Sequence, residues 1–114
     1  MIDPALVKSI LENARFRWLP GARWINLRPG GHALSHKYGR VGDDGAAPEG
    51  SEPDFDDPAT VGTIEAQVRA ISPFLYVVPP LDQAGYWIVQ DIERDVAFGK
   101  TLGEAWGRAF LEVA

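Results

Sequence analysis

Between Gly42 and Thr60 the chain carries seven carboxylates and no basic residue: Asp43, Asp44, Glu49, Glu52, Asp54, Asp56 and Asp57. Gly, Pro and Ser separate them, and Phe55 is the one aromatic. Such a stretch buries too little apolar surface to offset roughly 1–2 kcal/mol of backbone entropy per ordered residue. The composition therefore predicts a mobile surface loop over residues 42–56. A core has to come from the two flanking segments. At 114 residues the chain is long enough for one such core without staples, and a single domain over residues 1–114 is the economical reading.

The flanks differ in charge. Residues 1–41 hold seven Lys or Arg against two acids, whereas residues 61–114 hold four against seven, for a net charge of -5 overall. In the first flank Arg15, Arg17, Arg23, Arg28, Lys37 and Arg40 alternate with Trp18, Trp24 and Tyr38. Guanidinium groups beside aromatic rings suit phosphate contact and base stacking, so these six residues are a candidate nucleic-acid surface. The competing reading is that arginine stems cover the apolar edge of a sheet. A chain that is acidic as a whole is repelled by polyphosphate elsewhere, which favours the other candidate. Asp43, Asp44, Glu49, Glu52, Asp54 and Asp56 would face a partner with a basic surface.

Local signals place the elements. Asp3 and Pro4 supply an N-cap oxygen and a first-turn proline, and Leu6, Val7, Ile10, Leu11 and Ala14 follow at helical spacing over about residues 4–14. Asp57 and Pro58 repeat the device before Val61, Ile64, Val68 and Ile71, predicting a helix over about 58–71. The two starts echo one another, although capping chemistry alone can produce the match. Residues 24–28 and 32–40 read as a hairpin around Pro29-Gly30-Gly31, with residues 15–19 as a further strand. Extended segments over 74–78, 86–92 and 95–98 follow. Thr101 and Glu104 form a capping box, and Leu102, Ala105, Trp106, Ala109, Phe110 and Val113 share one stripe of the last helix. The order predicts an α+β fold, a two-layer sandwich of an antiparallel sheet and amphipathic helices, with Trp24, Trp87, Trp106 and Phe110 as its aromatic core.

From Phe74 onward, the strand, the Leu81-Asp82-Gln83-Ala84-Gly85-Tyr86 turn, two further strands and Gly99-Lys100-Thr101-Leu102-Gly103-Glu104-Ala105 opening a helix resemble the βββα unit of HicB-like antitoxins. The resemblance covers residues 74–114. Ile92-Glu93-Arg94-Asp95 stands where that family has a Pro-Gly motif before the third strand. The Ala-containing closing helix is also similar to that of small bacteriophage α-β sandwich accessory proteins of the anti-CRISPR type. Both resemblances imply a protein-binding regulator or inhibitor that neutralises a nucleic-acid-acting partner, and neither carries a catalytic residue across.

Other chemistry finds little support in the residues. The absence of Cys excludes disulfides, thiolate metal ligands and thiol catalysis in this chain. No phosphate loop, nucleophile elbow or H-E-x-x-H motif occurs. His32 and His36 would lie about 13 Å apart on a strand, too far to share an ion. Asp54, Asp56 and Asp57 miss the calcium-loop pattern, because Ala59 and Glu65 stand at its sixth and twelfth positions. The expectation is therefore a non-enzymatic, cytoplasmic protein with no cofactor or bound metal. A nucleic-acid-binding accessory domain and a metal-dependent hydrolase around His32 and His36 are the alternatives. No apolar run approaches the roughly 18–20 residues of a spanning helix, and no membrane role is expected.

Overall fold

Each helix begins where a short side chain can replace a missing backbone acceptor. The computed structural model describes residues 2–26, 37–81 and 85–114. Asp3 accepts from the Ala5 amide at 2.9 Å and opens α1, Pro4–Glu12. Asp57 accepts from the Thr60 amide at 3.0 Å and opens α2, Pro58–Ile71, and Thr101 accepts from the Glu104 amide at 3.1 Å and opens α3, Leu102–Val113. Helix α1 stops two residues short of the expected end, at Asn13, whose side chain accepts from the Arg15 amide.

The strands are β1 (Arg23–Asn26), β2 (Lys37–Arg40), β3 (Glu52–Pro53), β4 (Tyr76–Val78), β5 (Trp87–Gln90) and β6 (Asp95–Gly99). The protein is α+β, with helices packed on antiparallel sheets, in the order read from the sequence. The single sheet of that reading is divided in two, β2-β1-β3 and β4-β5-β6. Proline limits both: Pro53 has no N–H to extend β3, and Pro79 and Pro80 follow β4. The hairpin registers Arg23 against Arg40 and Asn26 against Lys37; its turn lies outside the described residues. The first sheet has its first strand in the middle and the second has its second, so the likeness of the two helix starts does not extend to strand order.

Helix α3 is the hub, touching β5, β6, α1 and α2. Trp106, Phe110, Ile10, Ile64, Leu75, Val68 and Val89 are fully buried around it. Of the four expected core aromatics, Trp106 and Phe110 are fully buried and Trp87 packs against the core, whereas Trp24 is not part of it. Trp24 and Trp87 are half-buried; the Trp24 ring fills the space beside Gly39, its cross-strand neighbour, where a Cβ would collide with it. Phe55 takes a core position instead, with 3% of its surface exposed.

The expected strand over residues 15–19 does not form: Arg15 lies in a turn, and the main chain at Arg17 pairs with a side chain and not with a neighbouring strand. The Arg17 amide donates to Gln67 Oε1 at 2.8 Å, and the Arg17 carbonyl accepts from Gln67 Nε2 at 2.9 Å. The expected mobile loop over 42–56 also needs correction at its C-terminal end. Glu52 and Pro53 pair with Ile25 and Trp24, the Asp54 amide donates to the Arg23 carbonyl, and Ser51, Pro53 and Phe55 are buried. Composition averaged over the block hid the one aromatic that anchors it.

That anchor needs two glycines. Gly103 and Gly107 lie one turn apart on α3, and a Cβ at Gly103 would run into the Phe55 carbonyl oxygen. Gly103→Ala is therefore expected to cost about 1–3 kcal/mol, the range for overpacking a filled site. Gly62→Ala, on the exposed side of α2 with nothing within 4 Å, is expected to stabilise by up to about 1 kcal/mol through helix propensity. Denaturant midpoints of the two variants, moving in opposite directions, check the packing.

Candidate interaction surface

The basic and acidic blocks of the sequence meet in the fold. Arg40 on β2 makes a two-pronged contact with the Asp57 carboxylate, at 2.8 and 2.9 Å, and also donates to the Gly21 carbonyl at 2.9 Å. Arg23 on β1 lies 3.4 Å from Asp54 and stacks over the Tyr38 ring at 4.9 Å. The buried Thr60 hydroxyl donates to Asp57 at 2.9 Å and accepts the Arg23 amide at 2.7 Å, fastening α2 to the first sheet. Asp54, Arg23 and Arg40 are thus engaged within the chain and only in part available to a partner.

The remaining candidates divide by position. Asp43, Asp44, Glu49, Glu52 and Asp56 are exposed, with Asp44 bracing the Ala46 amide at 3.2 Å. Lys37 is exposed on β2, and Arg15 and Arg17 lie beside α2. Arg28, His32 and His36 lie outside the described residues. Among the described residues no group of three or more His, Asp or Glu is placed to hold a metal ion, and no helix is long and apolar enough to cross a membrane.

The Arg40 guanidinium, assisted by the Thr60 amide and hydroxyl, holds the Asp57 carboxyl well below the usual carboxylate range. A depressed folded value means that this contribution to stability is present above the unfolded value of about 3.9 and is lost as the pH falls through the folded one. Asp57→Asn keeps a capping side chain but loses the ion pair. The variant is expected to lose about 1 kcal/mol at neutral pH, a modest figure because Arg40 is half exposed. Below about pH 4 its disadvantage should shrink as the parent's own Asp57 protonates. Urea midpoints across pH 2–7, at about half-unit steps, measure this convergence.

A second surface was not read from the sequence. In the β4-β5-β6 sheet, Val89 and Ala97 are buried opposite one another, and Val77 packs on the core beside them. The alternate positions Tyr76, Val78, Ile88, Gln90 and Phe98 face away from α3, with Tyr76 and Phe98 44% and 47% exposed. Gln90 donates to the Tyr76 hydroxyl at 2.9 Å across this outer face. At its end the Asp91 carboxylate accepts the amides of Glu93 and Arg94, both at 2.8 Å, and so shapes the turn that holds Ile92 outward, 95% exposed. These bonds also lower the Asp91 carboxyl from its ordinary value. Apolar residues on both faces were the available signal, since they mark a sheet meant to be covered twice. Among the described residues only one face is covered.

The chain matches no protein-family model, no curated protein and no solved structure to which it was compared. Its surfaces therefore carry the functional argument.

Proposed function

We propose that this chain is a non-enzymatic protein-binding regulator or inhibitor of the phage or mobile-element kind, neutralising a nucleic-acid-acting partner in an antitoxin-like or anti-CRISPR-like way. The observation that carries the reading is the uncovered outer face of the second sheet. Contiguous exposed apolar surface rimmed by charge is what a protein-binding patch looks like, and aromatic residues are enriched at such interfaces. Phe98, Tyr76 and Ile88 supply the apolar centre, and Asp91, Glu93 and Asp95 place acid at one end of it. The residues that resemble the HicB-like unit are those that build this sheet and α3. Asp43, Asp44, Glu49, Glu52 and Asp56 add long-range attraction for a basic partner surface, acting on encounter rate more than on affinity.

Arg23 and Arg40, two of the five described members of the alternative nucleic-acid set, already face carboxylates, which weakens that alternative. The test is association kinetics at two ionic strengths with the nucleic-acid-acting protein that co-purifies with the tagged chain. Phe98→Ser with Ile92→Ser should speed dissociation, whereas neutralising Asp43, Asp44, Glu49 and Glu52 together should slow association and flatten its salt dependence. Steep, salt-sensitive retention of the free chain on nucleic acid, abolished by replacing Arg15, Arg17 and Lys37, would overturn the proposal in favour of direct nucleic-acid binding.

A further inference from the structure

Between residues 15–19 and the exposed side of α2 lies an open groove of about 420 Å³, lined by Leu19, Ala66, Ala70, Ile71 and the edge of Phe110. Its wall is held in place from both ends. Gln67 grips the Arg17 main chain through two hydrogen bonds, and Phe16 packs edge-on against Phe110 at 6.3 Å. Ala66 and Ala70 keep the helix surface low, so that apolar groups can approach its backbone closely.

The charges beside the groove are a separate observation. Arg23, Arg40, Arg69 and Arg108 each face a carboxylate, in a chain with 16 acids and 11 bases. Arg15 and Arg17, which line the groove, have no carboxylate partner among the described residues. The Arg17 guanidinium donates to the carbonyls of Ala14 and Phe16, both at 2.9 Å, which steadies it and lowers the ordering cost of a further bond.

We propose that this groove docks an acidic peptide segment carrying an apolar anchor, with its carboxylates on Arg15 and Arg17 and its anchor over Ala66 and Ala70. The charge complementarity selects an acidic occupant. The lining is aliphatic and Phe110 is fully buried, so no exposed ring stacks a base, which separates the groove from a single-strand nucleic-acid channel. The groove is open, unlike sites that enclose most of a small ligand, and suits a side chain presented by a longer segment. This site is independent of the outer face of the second sheet, and either can fail without the other.

The experiment is an amide chemical-shift titration of the folded chain with acetyl-Leu-Glu-Glu-Leu-Leu-amide and with its Gln-for-Glu counterpart. Saturable shifts are expected at Ala66, Gln67, Ala70 and Ile71, with the Gln peptide about tenfold weaker for want of charge-assisted bonds. Arg15→Gln should weaken the Glu peptide comparably, and Ala70→Glu, at an exposed position, should abolish its binding without moving the thermal midpoint. Equal binding of the two peptides, shifts centred elsewhere, or unchanged binding by the Ala70→Glu variant would overturn the proposal. So would decanoate or a single-stranded oligonucleotide that shifts the same amides at lower concentration than the peptide.

Discussion

Trp106→Ala is expected to lower the free energy of unfolding by about 3–5 kcal/mol, the range for a large buried aromatic cut back to a methyl group. The indole has no exposed surface and sits at the centre of α3, the one helix that reaches both other helices and the second sheet. Its loss also removes the ring beneath Arg69, whose guanidinium lies 5.3 Å from the ring centre while donating to the Leu75 carbonyl at 2.7 Å. The indole N–H has no acceptor among the described residues. Trp106→Phe, which deletes that unsatisfied donor and keeps a ring, should therefore cost clearly less than the Ala variant. Urea denaturation of parent and both variants measures the difference, and an unchanged midpoint for Trp106→Ala would contradict the packing of α3. With domain stability commonly about 5–15 kcal/mol, a loss of this size removes much of the total.

Phe55→Ala is expected to have an effect in the same range, about 3–5 kcal/mol. Phe55 is 3% exposed and lies against Gly103 and Gly107 of α3, where the side chains of Ile2 and Ile10 also converge. No residue with the same backbone reach can replace it, since Asp54 and Asp56 beside it are charged. Asp43→Asn and Asp44→Asn, in the same acidic block but exposed, should leave stability within about 0.5 kcal/mol. Limited proteolysis gives a second reading: cleavage within residues 42–56 should accelerate in the Phe55→Ala variant and be unaffected by the two Asn variants.

This contrast inside one acidic block marks the limit of reading by composition. Seven acids among glycines and prolines dominated any window average, so the stretch read as loop throughout. The decisive residue was the exception within it, and its docking depended on two glycines about fifty residues later. The Asp57 cap was legible from Asp-Pro before a periodic stripe. Its pairing with Arg40 was not, because the charge rule for neighbours applies within a helix and says nothing about a strand seventeen residues earlier. Each candidate acid and arginine is visible in the sequence, but which of them are already engaged, as Asp54 with Arg23, depends on the hairpin folding back beside β3.

The chain's local chemistry was sufficient for the three helices and for five of the six described strands, in their order; β3 reads as loop, and residues 15–19 as a strand that does not form. A carboxylate or hydroxyl two or three residues before an orphan amide, and an apolar stripe of helical period, act over a few residues and need no distant partner. Tertiary structure decided the rest among the described residues: the split of six strands into two sheets, the exchange of Trp24 for Phe55 in the core, and the uncovered outer face of β4-β5-β6. Each depends on contacts between residues far apart in sequence. An apolar side chain gains by leaving water, but the hydrophobic effect has no direction, so only the assembled neighbours determine which faces are covered and which stay exposed.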